Sequence, residues 1–412
     1  MIEHTNTPEL RFPEFTEEWE ITLLGEVSYI TKLAGFEFTK YVNYSNEGKI
    51  PAIRGINIKN GRFNFEDVKY IDDSDFSKLS RSKLLPQDIV FTYVGTIGHA
   101  AIVPNDTSWY LAPNVAKIRS TNVYPDFLLQ ILTNPTFKRK EIFSWITTSS
   151  QPALSMANIR NFKLYLPSIL EQKKVGIFFS KLDQQIELEE KKLELLEQQK
   201  RGYIQQLYSQ EIRFKDDKGE NYPEWKLTEL NAIFTKYKNT IYLKDEQEYK
   251  RISISNRGII SHRDITLGKE IGRKRQYVID LNNHPNTLTF IRQGVFLGGI
   301  GFVPKFLNNY IVTENMPLLS MDSKYNKLFM TYLFESEDYY KNVIFKNLPI
   351  GSAQKALHEK EWLQSTVSVP ILEEQEKIGN FFNKTDNLIE LQTKKIESLK
   401  QRKRGLLQKM FV

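Results

Sequence analysis

The chain has 412 residues, 40% of them hydrophobic and 26% charged, with 57 Lys and Arg against 50 Asp and Glu. It is long enough for two or three domains with substantial cores, and the absence of cysteine excludes disulfides and thiolate metal sites. The opening MIEHTNTPELRF has no signal segment and no apolar run is long enough to span a bilayer, so a cytoplasmic protein is expected. The net charge of +7 permits a polyanionic partner without requiring one.

FPEFTEEWEITLLGEV (12–27) begins the first of two corresponding halves, because YPEWKLTELNAIF (222–234) resembles it when Trp19 is laid on Trp225. Strand-like alternation follows in KIPAIRGINI (49–58) and DIVFTYVG (88–95), with Gly, Asn and Asp turns between. PDFLLQILTNPTFKRKEIF (125–143) reads as helix and leads through SSQPALSMANIRNFKLYLP (149–167) into EQKKVGIFFSKLDQQIELEEKK (171–192). The second half repeats this order. EYKRISIS (248–255) and GVFLGGI (294–300) read as strands, and NKLFMTYLFESEDYYKNVIF (326–345) reads as helix. GSAQKALHEKEWLQSTVSVP (351–370) then runs into EQEKIGNFFNKTDNLIELQTKK (374–395). Thirteen of the twenty-two positions in these last segments are identical at an offset of 203.

At the same offset Gln151 matches Gln354, Ala153 and Leu154 match Ala356 and Leu357, and Pro167 matches Pro370. Between the anchors the halves share little beyond a glycine-bearing turn, VGTIGHA (94–100) against GGIGFVP (298–304). The pattern is a duplication of a whole domain with its helix. It predicts an α+β fold with twisted mixed or antiparallel sheets: one domain at 1–165, a helix at 166–212, a second domain at 213–368 and a helix at 369–412.

Within each repeated helix, positions spaced 4-3-4-3 form a seam. Its apolar members include Phe179, Leu182, Ile186, Leu193 and Leu196 in the first copy, and Phe382, Ile389, Ile396 and Leu399 in the second. About four heptads in both copies predict that the helices pair with each other as an antiparallel, pseudo-twofold coiled coil. Polar exceptions fall at matching places, Glu189 with Gln392 and Lys200 with Lys403. A crossing near 194 and 397 would set Glu189 beside Lys403 and Gln392 beside Lys200, since polar seam residues fix register.

Catalytic patterns are missing: there is no phosphate-binding P-loop, no nucleophile elbow, and no methyltransferase strand end with its N-P-P-Y run. His4, His99, His262, His284 and His358 form no pair at metal-ligand spacing. The chain therefore reads as non-catalytic and without a cofactor or metal of its own. Basic, polar loops stand out instead. ISNRGIISHRDITLGKEIGRKRQY (254–277) carries Arg257, Arg263, Lys269, Arg273, Lys274 and Arg275. GKIPAIRGINIKNGRFNF (48–65) carries Arg54, Asn57, Lys59, Asn60 and Arg62. Lys and Arg suit phosphates, while Arg, Asn and Gln suit base edges. Thr96 and His99 in the first glycine turn, and Gln151, Gln354 and Lys355 before the helices, complete the candidate DNA-binding set. Gly95, Gly98, Gly299 and Gly301 either admit a phosphate close to the backbone or make tight turns. A two-headed adaptor without nucleic acid remains open on this pattern.

LPSILEQKKVGIFFSKLDQQIE (166–187) and VPILEEQEKIGNFFNKTDNLIE (369–390), with the Gln151 and Gln354 segments and the Trp19 and Trp225 starts, resemble the specificity subunit of Type I restriction-modification systems. The resemblance implies two target-recognition domains, each reading half of a bipartite asymmetric site in duplex DNA. It implies that the conserved helices set the spacing and dock two modification subunits. Those partners would carry S-adenosylmethionine, and restriction subunits would bring ATP and Mg for translocation and cleavage.

Overall fold

The computed structural model describes residues 6–59, 61–105, 107–146, 152–347 and 356–412. The chain packs as two units, one of Met1–Glu190 with Lys394–Val412 and the other of Lys191–Thr393. Each long helix therefore contributes to both units. The first spans Ile169–Tyr208 and the second Leu372–Met410, 40 and 39 residues.

In the first unit a four-stranded antiparallel sheet runs in the order Ser28–Lys32, Val115–Ser120, Ile89–Thr92, Ala100–Ile102. The second unit repeats it as Phe234–Tyr237, Leu318–Met321, Thr287–Phe290, Ile300–Phe302. Each unit also ties its start to the strand before its long helix. Glu20–Leu23 pairs with Lys163–Leu166, and Lys226–Glu229 pairs with Thr366–Val369. Outside this shared frame the units diverge. The first has a three-stranded sheet, with Pro51–Ile53 between Lys69–Tyr70 and Tyr110–Leu111, and the short hairpin Ile58–Lys59/Arg62–Phe63. The second has a five-stranded sheet that includes the long hairpin Glu248–Ile254/Ile260–Leu267. Both peripheral sheets contain one parallel pairing, so the fold is α+β with mixed sheets.

Local chemistry breaks some predicted elements. The 125–143 helix stops at Thr133 because Asn134 accepts from the Thr136 N–H and Pro135 removes a donor; a π-helical turn follows at Lys138–Ile142. The second unit does the same, with Lys327–Leu333 followed by a π-turn at Tyr340–Ile344. The segment 294–300 is not a strand. Val295–Leu297 forms a 3-10 turn closed by Gly298 at φ +99°, and only Ile300–Phe302 is extended.

The repeated Glu-Gln…Gly-x-Phe-Phe…Asp residues seat each domain on its helix. Glu171, with its side chain 1% exposed, receives both ends of the Arg11 guanidinium at 2.7 Å. Glu374, fully buried, receives Arg213 at 2.8 and 3.2 Å and the Trp225 indole N–H at 3.1 Å. The next residue, Gln172, donates to the Pro167 carbonyl and accepts from the Tyr124 N–H. Gln375 does the same with Pro370 and Asn326. Each glutamine thus satisfies a backbone group at the start of the domain's own helix. A Cβ on Gly176 would lie 2.8 Å from the Phe127 nitrogen, and one on Gly379 2.8 Å from Leu328 Cβ, so only glycine lets these helices approach. Phe179 and Phe382 are completely buried in the respective cores.

Trp19 and Trp225 occupy equivalent places. Trp19 packs on Phe127 and Phe411 at 5.7 and 6.1 Å, and Trp225 on Phe329 and Tyr208 at 5.7 and 6.2 Å. Each core is therefore closed by an aromatic residue at the end of a long helix, Tyr208, or just beyond it, Phe411.

Within each unit the helix segments run antiparallel, but in a different register from the one the polar seam residues implied. Lys403 reaches Asp183 at 2.7 Å, and Glu189 pairs with Lys395 at 2.5 Å. Lys200 reaches Asp386 at 2.8 Å and Glu335 at 3.1 Å, while Gln392 is buried. Phe179, Leu182, Ile186, Phe382 and Ile396 are buried, whereas Leu193, Leu196, Ile389 and Leu399 are half-buried.

Glu359 begins the short helix Glu359–Leu363 and receives hydrogen bonds from Lys236 and Arg292. Burial opposes its ionisation, but these cations hold its carboxyl at about 2, below the ordinary 4.5. A depressed folded-state pKa contributes stability above the unfolded value that is lost as pH falls through the folded one. Glu359→Gln is expected to flatten the acid branch of stability between pH 4.5 and 2, measured by urea denaturation across that window. Glu374→Gln, which leaves Arg213 facing a neutral amide, is expected to cost about 3 kcal/mol in the same assay at pH 7.

Candidate nucleic-acid interface

In the second unit the long hairpin places Arg257 at its tip, where the Ser255 and Gly258 N–H groups close the turn. The tip is locked by three glycines. A Cβ on Gly258 would sit 2.2 Å from the Ile300 carbonyl, one on Gly298 1.9 Å from the Asn256 carbonyl, and one on Gly301 2.1 Å from the Gly258 carbonyl. The space beside Gly301 is therefore filled by the chain's own backbone, and the turn serves packing instead of admitting a phosphate. Gly95 and Gly98 adopt φ of +74° and +84°, as a tight turn demands.

The remaining candidates of this unit lie on the same five-stranded sheet and its loops, and acidic neighbours hold most of them. Arg273 and Arg275 share Glu314 at 3.2 and 3.4 Å. Lys274 binds Asp245 at 2.5 Å, Lys269 binds Glu246 at 3.5 Å, and Arg263 lies 3.3 Å from Asp264. Asp264 is also gripped by Arg251, whose hydrogen bonds hold its carboxyl below the ordinary carboxylate range. The five candidate cations keep 44 to 70% of their side-chain surface in solvent. Exposed pairs of this kind are worth about 0–1 kcal/mol, so a phosphate can take over the cation at little cost. Arg257 has no ion pair among the described residues. Glu314 lies 39 residues beyond Arg275 in the chain, and nothing in the loop's own sequence signals it.

In the first unit the candidates separate. Asn57 is 1% exposed; its amide donates to the Asn64 and Asp67 carbonyls and its oxygen accepts from the Arg54 N–H. That amide holds the loop together and presents no edge to a base, a correction to the role expected of it. Arg54 points the same way, donating to the Asp67 carbonyl and carboxylate at 2.6 and 2.8 Å. Arg62 is bound to the first long helix, at 2.7 Å from Glu190 and 2.8 Å from the Asp183 carbonyl, so it also acts structurally. Thr96 is exposed on the glycine turn. Lys59 and His99 come together on a cleft with Lys138 and Arg404, which the sequence did not single out. Gln151, Gln354, Lys355 and Asn60 lie outside the described residues. Among the described residues no cluster could hold a metal ion, and no helix is long and apolar enough to cross a membrane.

A family model for the Type I restriction modification DNA specificity domain matches residues 16–198 and again 222–401. The chain belongs to that family. This specificity chain is similar to the MjaVIII type I restriction enzyme specificity subunit of Methanocaldococcus jannaschii, with 23% identity over 97% of its own length and 92% of the relative's. The crystal structure of a Type I restriction-modification S subunit from M. genitalium matches it with a TM-score of 0.59 at 15% identity, over 98% of this chain and 99% of that one. A chain from work on complex assembly and conformational transition of the type I R-M system matches with a TM-score of 0.55 at 14% identity, over 97% and 99%. The specificity domain thus occurs twice, each copy with the same four-stranded sheet and helix seat.

Two arginines of the set separate by role. Arg62→Ala is expected to destabilise the fold by about 1–2 kcal/mol through loss of its bonds to the helix. Arg257→Ala is expected to stay within about 0.5 kcal/mol. Paired urea melts distinguish them.

Proposed function

We propose that this chain chooses the DNA sequence for a Type I restriction-modification complex and performs no catalysis itself. Each unit reads one half of a bipartite asymmetric duplex site. The long helices dock two modification subunits that bring S-adenosylmethionine, and restriction subunits add ATP and Mg. The observation that carries this reading is the contrast between a repeated frame and divergent peripheral sheets. Elements that seat a domain on its helix recur residue by residue, whereas the surfaces beyond the shared sheet differ, as they would if each addressed different bases. The docking of partners is supported by leucines left in solvent at matching helix positions, Leu188 and Leu391, 68 and 63% exposed. An exposed apolar side chain of that size, found twice at one position, suits an equivalent surface on each of two partners.

The direct test is methylome sequencing of a host with and without this chain, beside its modification subunit. A bipartite modified motif that appears only with the chain supports the reading, and an unchanged methylome overturns it. A binding assay probes the residues. Arg273→Ala and Arg275→Ala are each expected to weaken duplex binding at moderate salt and to reduce the salt slope by about one unit. Glu314→Gln is expected to strengthen non-specific binding by releasing both arginines. Absence of any salt-dependent association with duplex would instead favour an adaptor that binds only proteins.

A further inference from the structure

The cleft that holds Lys59 and His99 lies within the first unit and has a volume of about 540 Å³, inside the ~300–1,000 Å³ range of small-ligand sites. Six Lys or Arg side chains and His99 line it, against the carboxylates of Asp183 and Glu190. Glu190 is taken by Arg62 and Lys400, and Asp183 by Lys403. Lys59, His99, Lys138 and Arg404 have no carboxylate partner among the described residues. Burial lowers the pKa of Lys138, and burial together with Lys138 and Lys59 lowers that of His99. Lys59 and Lys138 thus both lie close enough to His99 to repel its charged form. The Lys138 stem is held beside the glycine turn, its Cε 3.7 Å from where a Cβ on Gly98 would lie. A second unmet demand lies in the same wall. Gln130 is 1% exposed and donates to Asp183 at 3.1 Å, but its buried Oε1 has no donor.

The second unit shows that the fold does not impose this cleft. Aligning the two π-turns places Gln130, Thr133 and Lys138 opposite Tyr332, Glu335 and Tyr340. There the Tyr332 hydroxyl donates to Asp386 at 2.7 Å, its ring lies 4.9 Å beneath the Lys200 ammonium, and Glu335 closes on Lys200 at 3.1 Å. Aromatic rings fill the corresponding space and one more carboxylate neutralises it. In the first unit the smaller Gln130 and Thr133 leave room, and the carboxylate is replaced by a hydroxyl.

We infer that the first-unit cleft binds a phosphate ester. Its oxyanion sits among Lys59, Lys138 and Arg404, and a neighbouring hydroxyl or amine of the ligand donates to Gln130 Oε1. Charge-assisted bonds from a partly buried Lys138 and from the exposed Lys59 and Arg404 at the cleft's rim suit a phosphate, and a nucleotide carries both groups. The phosphate comes either from a free nucleotide or from a nucleic-acid backbone, and the same assay separates these sources.

Isothermal titration of the full chain with AMP, and separately with pyrophosphate, is expected to show saturable binding. Lys138→Gln with Arg404→Gln should weaken both ligands by roughly tenfold or more, the loss of at least one charge-assisted bond. Gln130→Tyr with Thr133→Glu imports the residues that already fold in the second unit. It should abolish binding while the melting temperature holds. Displacement of a fluorescent random-sequence duplex by AMP would assign the site to backbone phosphate, and undisturbed duplex binding would assign it to a free nucleotide. No binding of either probe at millimolar concentration, or the same affinity in both double variants as in the parent, overturns the inference.

Discussion

A buried carboxylate at the start of each long helix is the constraint on which the two units rest. Glu171 and Glu374 are removed from water and compensated by Arg11 and Arg213, which come from segments about 160 residues earlier. A charge so placed is tolerable only when its partner is present and its lone pairs are met. The pair therefore forces the segment ahead of each domain's first strand to lie at the root of its helix. The adjacent glutamine then fixes the domain's own helix through one donor and one acceptor, and the glycine four residues on from that glutamine sets the distance. Once these are satisfied, Phe179 and Phe382 have one place to go. The frame is rigid because its polar groups accept few alternatives, while the peripheral sheets make no such demands and have diverged.

The duplication, the α+β class, the helix pairing and its antiparallel sense were legible because they rest on residue types repeated at a fixed offset. Register was not. A 4-3-4-3 pattern looks the same after a slide of whole turns, so matching polar residues could not distinguish Asp183 from Glu189 as the partner of Lys403. The choice is made by what the domains add: Gln130 beside Asp183 in one unit, and Tyr332 and Glu335 around Lys200 and Asp386 in the other. Those contacts lie 53 or more residues apart in the chain.

The candidate site was legible as a supply of cations and obscure in what each one does. Asn57 and Arg62 looked like Arg273 and Arg275 because a basic loop rich in Asn and Gly is equally suited to binding itself. Burial separates them: the Asn57 amide is spent on two carbonyls, while Arg273 keeps most of its side chain in solvent. Glu314 was hidden because the five-stranded sheet brings it to the arginines from the turn after another strand, Ile311–Val312. Lys138 and Arg404 were hidden because each sits in a basic run of a helical segment, KRK at 138–140 and KQRKR at 400–404, where solvated surface charge is the ordinary reading.

The closure of the first core by Met410 and Phe411 bears on how the chain acquires its structure. Trp19 and Phe127 are made early, yet the ring that completes their packing is translated nearly three hundred residues after Phe127. The second unit is written without interruption from 191 to 393, and can condense while its partner still lacks a wall. Contacts of such long separation close slowly and leave apolar surface open meanwhile. Order of synthesis and order of completion are thus reversed: the domain begun first is the one finished last.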